Sequence, residues 1–174
     1  MNDITLKEGA LSFEFKDVEF AEKYDDWVHY RNQFNSVCGS SKAVDFIVSQ
    51  GDTVWLIEVK NYRHHVRTKP IEIADEIMHK VRDTMAGLVS AQFLASTVNE
   101  KKCASDAIKQ TQLRVVLHLE QPRKPSRLYP TSFDPANVQI KLRQKLKFAD
   151  PHPMVKDMNT FPTALGRVTS LQIK

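Results

Sequence analysis

Residues 42–63, KAVDFIVSQGDTVWLIEVKNYR, constrain the fold of this chain more than any other stretch. Two apolar, β-prone runs are separated by Gly51 and Asp52, a pair suited to the tight turn of a hairpin. Asp45 interrupts the first run (Ala43, Val44, Phe46, Ile47, Val48), and Glu58 interrupts the second (Val54, Trp55, Leu56, Ile57, Val59). Runs of this kind belong to strands covered on both faces. A carboxylate in such a strand needs a partner, because burying an unpaired charge is expensive.

Side chains two apart on a strand share a face, so Glu58 and Lys60 point the same way, and a turn at Gly51 and Asp52 brings Asp45 close to Glu58. Two carboxylates and an ammonium are therefore expected to converge. Adjacent carboxylates repel unless a cation lies between them, and a hard, oxygen-preferring ion such as Mg²⁺ or Mn²⁺ suits the pair, with the backbone carbonyl of Val59 as a further ligand. Such an ion polarises a phosphoryl oxygen and acidifies a bound water, which Lys60 is placed to orient.

Around the hairpin, residues 10–15 alternate as a half-buried strand. A helix is expected over 18–34, with Phe20, Tyr24, Trp27, Val28, Arg31 and Phe34 as its stripe and Asp17 as its cap. Pro70 is expected to open a long helix whose buried stripe is Ile73, Ile77, Val81, Met85 and Leu88, becoming apolar on all sides over 88–95. Its polar side carries Glu76, His79, Lys80 and Asp83, read as a solvated face with Glu76 pairing Lys80. A polar break over 99–105, a buried strand over 113–119, a helix from Asp134 and Pro135 to about Phe148 and a last strand over 167–173 complete the reading.

The hairpin resembles the signature of the PD-(D/E)xK, or restriction-endonuclease-like, nuclease superfamily: an Asp on a core strand, then E-x-K on its neighbour, then a helix. Here these are Asp45 and Glu58, Val59, Lys60, and the similarity extends over roughly two-thirds of the chain. Val44 stands where the name-giving Pro would be, and Ser96 stands where one branch has a Tyr four residues after the equivalent of Gln92. The resemblance implies an α/β fold with a central mixed β-sheet flanked by helices, in the order α-β-β-β-α-β. It implies a metal-dependent nuclease, endo- or exonucleolytic, that hydrolyses phosphodiester bonds. Asp45 and Glu58 would hold Mg²⁺ or Mn²⁺ and Lys60 would be the catalytic lysine. An acidic residue from the preceding helix, for which Asp25 is chosen, would join the metal. The alternatives are an RNA- or structure-specific phosphodiesterase and a catalytically inactive nucleic-acid-binding module of the same fold.

The 174 residues are read as one domain, 1–174, with a core over about 10–120 and a basic extension over about 121–174. A net charge of +4 and a pI near 9.0 lean toward a polyanionic partner, expected to be DNA in preference to RNA. Lys42, Arg63, Arg67, Lys80, Arg123, Lys124, Arg127, Lys141 and Lys145 are the candidate phosphate contacts, with Tyr129 available to stack on a base. His64 and His65 are read as loop residues. A homodimer or a partner protein is expected if both strands of a duplex are cut. Cys38 and Cys103, without CxxC spacing, are expected to be reduced thiols, and the absence of a leader or a membrane-length apolar run is read as a cytoplasmic location.

Overall fold

A computed structural model describes residues 2–128 and 133–171. The hairpin forms as expected: β4 (Phe46–Gln50) and β5 (Thr53–Asn61) pair antiparallel about Gly51, whose φ of +62° is the left-handed value the turn demands. They lie inside a five-stranded mixed sheet ordered β3-β4-β5-β6-β7, in which β3 (Phe20–Lys23) runs antiparallel to β4. β6 (Gln112–Glu120) and β7 (Met154–Lys156) continue the sheet parallel to β5. The parallel connections are helical: α1 (Ile73–Leu94) and α2 (Val98–Lys109) link β5 to β6, and α3 (Pro135–Lys145) links β6 to β7.

The continuous apolar runs reflect burial on both faces. Ile47, Leu56, Val115 and Leu117 face the helices and pack with Ile77, Val81 and Leu142. Phe46, Val48, Ile57 and Val116 face the other way, onto Phe13, Phe15 and Val168. This second cover corrects the expectation of flanking helices. It is a three-stranded antiparallel sheet of β1 (Asn2–Glu8), β2 (Leu11–Val18) and β8 (Gly166–Ser170), in the order β1-β2-β8. Its inner face is aromatic: Phe13 meets Phe46 edge-on with ring centroids 5.0 Å apart.

The helix expected over 18–34 is not formed, so the order α-β-β-β-α-β does not hold. Asp17 lies in β2 with φ +49° rather than capping a helix, and β3 takes up the edge of β4. A 3₁₀ turn at Tyr24–Asp26 and a π turn at Tyr30–Phe34 follow. Ladder hydrogen bonds along β4 outweigh weak helix propensity here, and Tyr24 and Trp27 still turn inward, as their spacing suggested. The expected break over 99–105 is instead part of α2. Thr97 caps that helix by accepting from the Glu100 amide, and its buried stripe is small: Cys103, Ala104 and Ala107.

Two boundaries also move: α1 begins at Ile73 rather than at Pro70, and α3 stops at Lys145. The distal turn of α1, expected to be buried on all sides, faces solvent, with Phe93 66% exposed and Leu94 65% exposed. No helix among the described residues is long and apolar enough to cross a membrane. Cys38 and Cys103 are both free thiols, the latter buried, which pushes it up to about 12.

Candidate functional site

The pairing of Phe46 with Ile57 sets Asp45, one residue earlier, opposite Glu58. Neither position is left to chance. The Tyr24 amide donates to the Asp45 carbonyl at 3.0 Å, and the Val59 amide donates to Asp45 Oδ2 at 2.6 Å. From α1, Thr84 Oγ1 accepts from the Val44 amide and Asp83 Oδ2 from the Lys42 amide, fixing the chain that enters the strand.

The cation between the carboxylates belongs to the chain itself. Lys60 Nζ and Lys80 Nζ each lie 2.6 Å from Glu58 Oε1, and Lys80 Nζ is 4.0 Å from Asp45 Oδ1. Glu58 is 1% exposed and its oxygens accept no directed hydrogen bond from the described residues, so ammonium charge compensates it. Burial, then the neighbouring Glu58, pushes the Asp45 carboxyl up to about 7, against the pull of Lys80 and the Val59 amide.

A second carboxylate extends the network. Glu76, one turn of α1 before Lys80, receives Lys60 Nζ at 3.1 Å, Arg67 Nη1 at 2.5 Å and Lys69 Nζ at 2.6 Å. Burial works to raise Glu76, but Lys69, Lys60 and Arg67 outweigh it and hold the carboxyl down at about 2. Burial opposes the charged form of Lys60 as well, yet Glu58 and Glu76 raise it above its usual value.

Asp45, Glu58 and Lys60 thus come together, and Lys80 and Glu76 join them. The expected pairing of Glu76 with Lys80 and the expected solvated face are both corrected. Glu76, Lys80, Asp83 and Thr84 form a polar stripe that points inward beside the apolar one, and its spacing along the helix was the available signal. Asp25 is half-buried in the turn after β3, where burial raises its carboxyl above the ordinary value against the pull of Lys23 and, more weakly, of Lys80.

Two ammonium groups contact Glu58 Oε1, and the Val59 amide takes Asp45 Oδ2. Among the described residues no group of three or more His, Cys, Asp or Glu side chains is disposed to hold a metal.

The candidate phosphate contacts divide into two sets. Arg67 and Lys80 turn inward to the network, while Lys141 pairs with Glu72 and Lys145 with Asp75 at 2.6 Å, so that α3 docks against the first turn of α1. These four spend their charge within the fold. Lys42, Arg63, Arg123, Lys124 and Arg127 face outward to different degrees. Arg63 is positioned by Asn61 Oδ1 at 3.0 Å and Ser170 Oγ at 2.9 Å, and with His64, Arg123 and Lys124 it lines a cavity of about 560 Å³. This cavity lies at the carboxyl ends of the parallel strands β5 and β6, the usual location of ligand sites in such sheets. Tyr129 lies outside the described residues. Trp27 is core, and Trp55 is half-buried with the Arg114 guanidinium 5.9 Å from its ring centroid.

No protein-family model matches the chain, and no solved structure matches it. Over 176 aligned residues it is 32% identical to a cysteine--tRNA ligase of Neisseria meningitidis serogroup A, an alignment covering 84% of this chain and 25% of the ligase. The chain therefore spans about a quarter of the length of this curated relative. The relative is a ligase, not a hydrolase. That finding overturns the expectation of a metal-dependent nuclease, endo- or exonucleolytic, and with it the phosphodiesterase alternative and the hydrolytic role given to Lys60.

Proposed function

We propose that this chain is an RNA-binding module with a tRNA-ligase-related role, in which the network of Asp45, Glu58, Lys60, Glu76 and Lys80 is scaffold and the cation-bearing loops beside it are the working surface. The observation that carries this reading is the convergence of two loops at the carboxyl ends of β5 and β6, where Arg63, His64, Arg123 and Lys124 line one cavity. The similarity to part of a cysteine--tRNA ligase supports RNA, and tRNA in particular, over DNA.

The physical division of labour is simple. Cations whose partners lie inside the fold hold β5, α1 and the intervening loop in register, whereas outward cations release counterions when they meet phosphates and so supply affinity without reading sequence. Arg63 is pre-positioned by two side-chain hydrogen bonds, which lowers the ordering cost of binding.

Gel retardation with unmodified tRNA and with duplex DNA of matched length tests the reading. Retention of tRNA at lower protein concentration than duplex DNA, lost on Arg123→Glu with Lys124→Glu, is the expected result. Failure to retain tRNA, or stronger retention of the duplex, would overturn it.

A further inference from the structure

We propose that the cavity beside the end of β5 is a site for a phosphomonoester, the terminal phosphate of an RNA strand. The inference rests on the RNA-binding reading above and adds to it a preference for one kind of RNA end. The cavity measures about 320 Å³, and Lys60, Arg67 and Lys69 line it together with Glu8, Asn61 and Tyr62.

Its charge is lopsided. Lys60 and Arg67 have side chains only 14% and 8% exposed, and buried cations are ordinarily matched by their own anions. Here one carboxylate, Glu76, serves Lys60, Arg67 and Lys69 from behind, without itself lining the cavity. Lys60 also reaches Glu58, but that carboxylate is shared with Lys80. Along this network four cations meet two carboxylates, a surplus of two positive charges. An ionised Asp45 beyond Lys80 reduces the surplus to one. Glu8, which also lines the cavity, is held by Lys23 at 2.8 Å.

The surplus selects the ligand chemistry. A phosphodiester within a strand carries one negative charge, whereas a phosphomonoester carries about −1.5 to −2 at neutral pH and offers three acceptor oxygens. A guanidinium and two ammonium groups belong to side chains that line the cavity, Arg67 being oriented there by Tyr62 Oη at 3.0 Å and the Ile71 carbonyl at 2.7 Å. The 5′ and 3′ ends of RNA share this chemistry, and an experiment separates them.

One short RNA is prepared with a 5′-phosphate, with a 3′-phosphate and with hydroxyls at both ends, and binding is followed by fluorescence anisotropy. At least one phosphorylated form should bind the wild-type protein about tenfold tighter than the hydroxyl form, the worth of one added charge-assisted hydrogen bond. Inorganic phosphate should compete that advantage away, and Lys69→Gln, at a half-exposed position, should remove most of it. Equal binding of all three RNAs to the wild-type protein would overturn the inference while leaving the RNA-binding reading in place. If no form binds, that reading fails too. Competition by inorganic phosphate needs no variant, so the proposal can fail even if Lys69→Gln does not fold.

Discussion

Gly87 on α1 lies directly against Tyr24: a Cβ at Gly87 would fall 1.9 Å from the tyrosine oxygen and 3.2 Å from the ring of Phe34. Tyr24 cannot swing aside. It is fully buried and packs edge-on against Trp27, with ring centroids 5.1 Å apart. Overpacking costs about 1–3 kcal/mol, and so close an approach belongs at the upper end, above the roughly 1 kcal/mol that Ala gains over Gly in a helix. Gly87→Ala should therefore lower the urea midpoint, and adding Tyr24→Phe should restore part of the loss. Among the described residues the Tyr24 hydroxyl has no hydrogen-bond partner to lose. An unchanged midpoint in Gly87→Ala would contradict the packing described.

Glu100 fastens the irregular segment that replaces the expected first helix. Its carboxylate accepts from the backbone amides of Val28 at 2.7 Å and His29 at 3.1 Å, while its own amide donates to the Thr97 side chain. Glu100→Ala strands one buried donor, the His29 amide, at about 1–3 kcal/mol, and one part-buried donor, the Val28 amide, at less. The loss should appear first as faster hydrogen exchange over residues 24–34, before global unfolding. Exchange that speeds up equally across the whole chain would argue against a local anchor.

Asp45 makes stability fall as pH rises. Because its folded carboxyl sits at about 7, above the ordinary 3.8, the folded state holds a proton that the unfolded chain has released across that interval, and stability declines through it. The loss is on the order of a few kcal/mol. Glu76 has the opposite sign: held at about 2, it contributes stability above the ordinary carboxylate range that disappears as pH falls through 2. Asp45→Asn keeps an acceptor for the Val59 amide but removes the titration. Its urea midpoint should gain on the wild type progressively between pH 5 and pH 8, and a pH-independent difference would contradict the assignment.

The hairpin was legible because its signals are local. Turn residues, apolar runs and the offset between Asp45 and Glu58 determined the register and brought the motif residues together. The region over 18–34 misled because Phe20, Tyr24 and Trp27 recur at helical spacing, yet a free edge of β4 competes for the same backbone. Helix α2 escaped notice because alanines form its buried stripe and read as neutral in pattern. The partners of Glu76 were hidden for a different reason: Arg67 and Lys69 reach it from a loop, and helical spacing offered only Lys80. Nor does a charge count separate outward Arg123 and Lys124 from Lys141 and Lys145, which are consumed by Glu72 and Asp75. The functional expectation, overturned by the similarity to part of a ligase, had rested on a motif whose carboxylates and lysines are equally consistent with an ion-pair network, so their spacing alone specifies no reaction.

The most direct test of the central claim is the salt dependence of tRNA binding. With Arg63, Arg123, Lys124 and Arg127 as the phosphate contacts, log K against log salt should fall with a slope of about −3 to −4, and Arg123→Glu with Lys124→Glu should flatten it by about 2. A slope indistinguishable from zero, or one that the double variant leaves unchanged, would contradict the account.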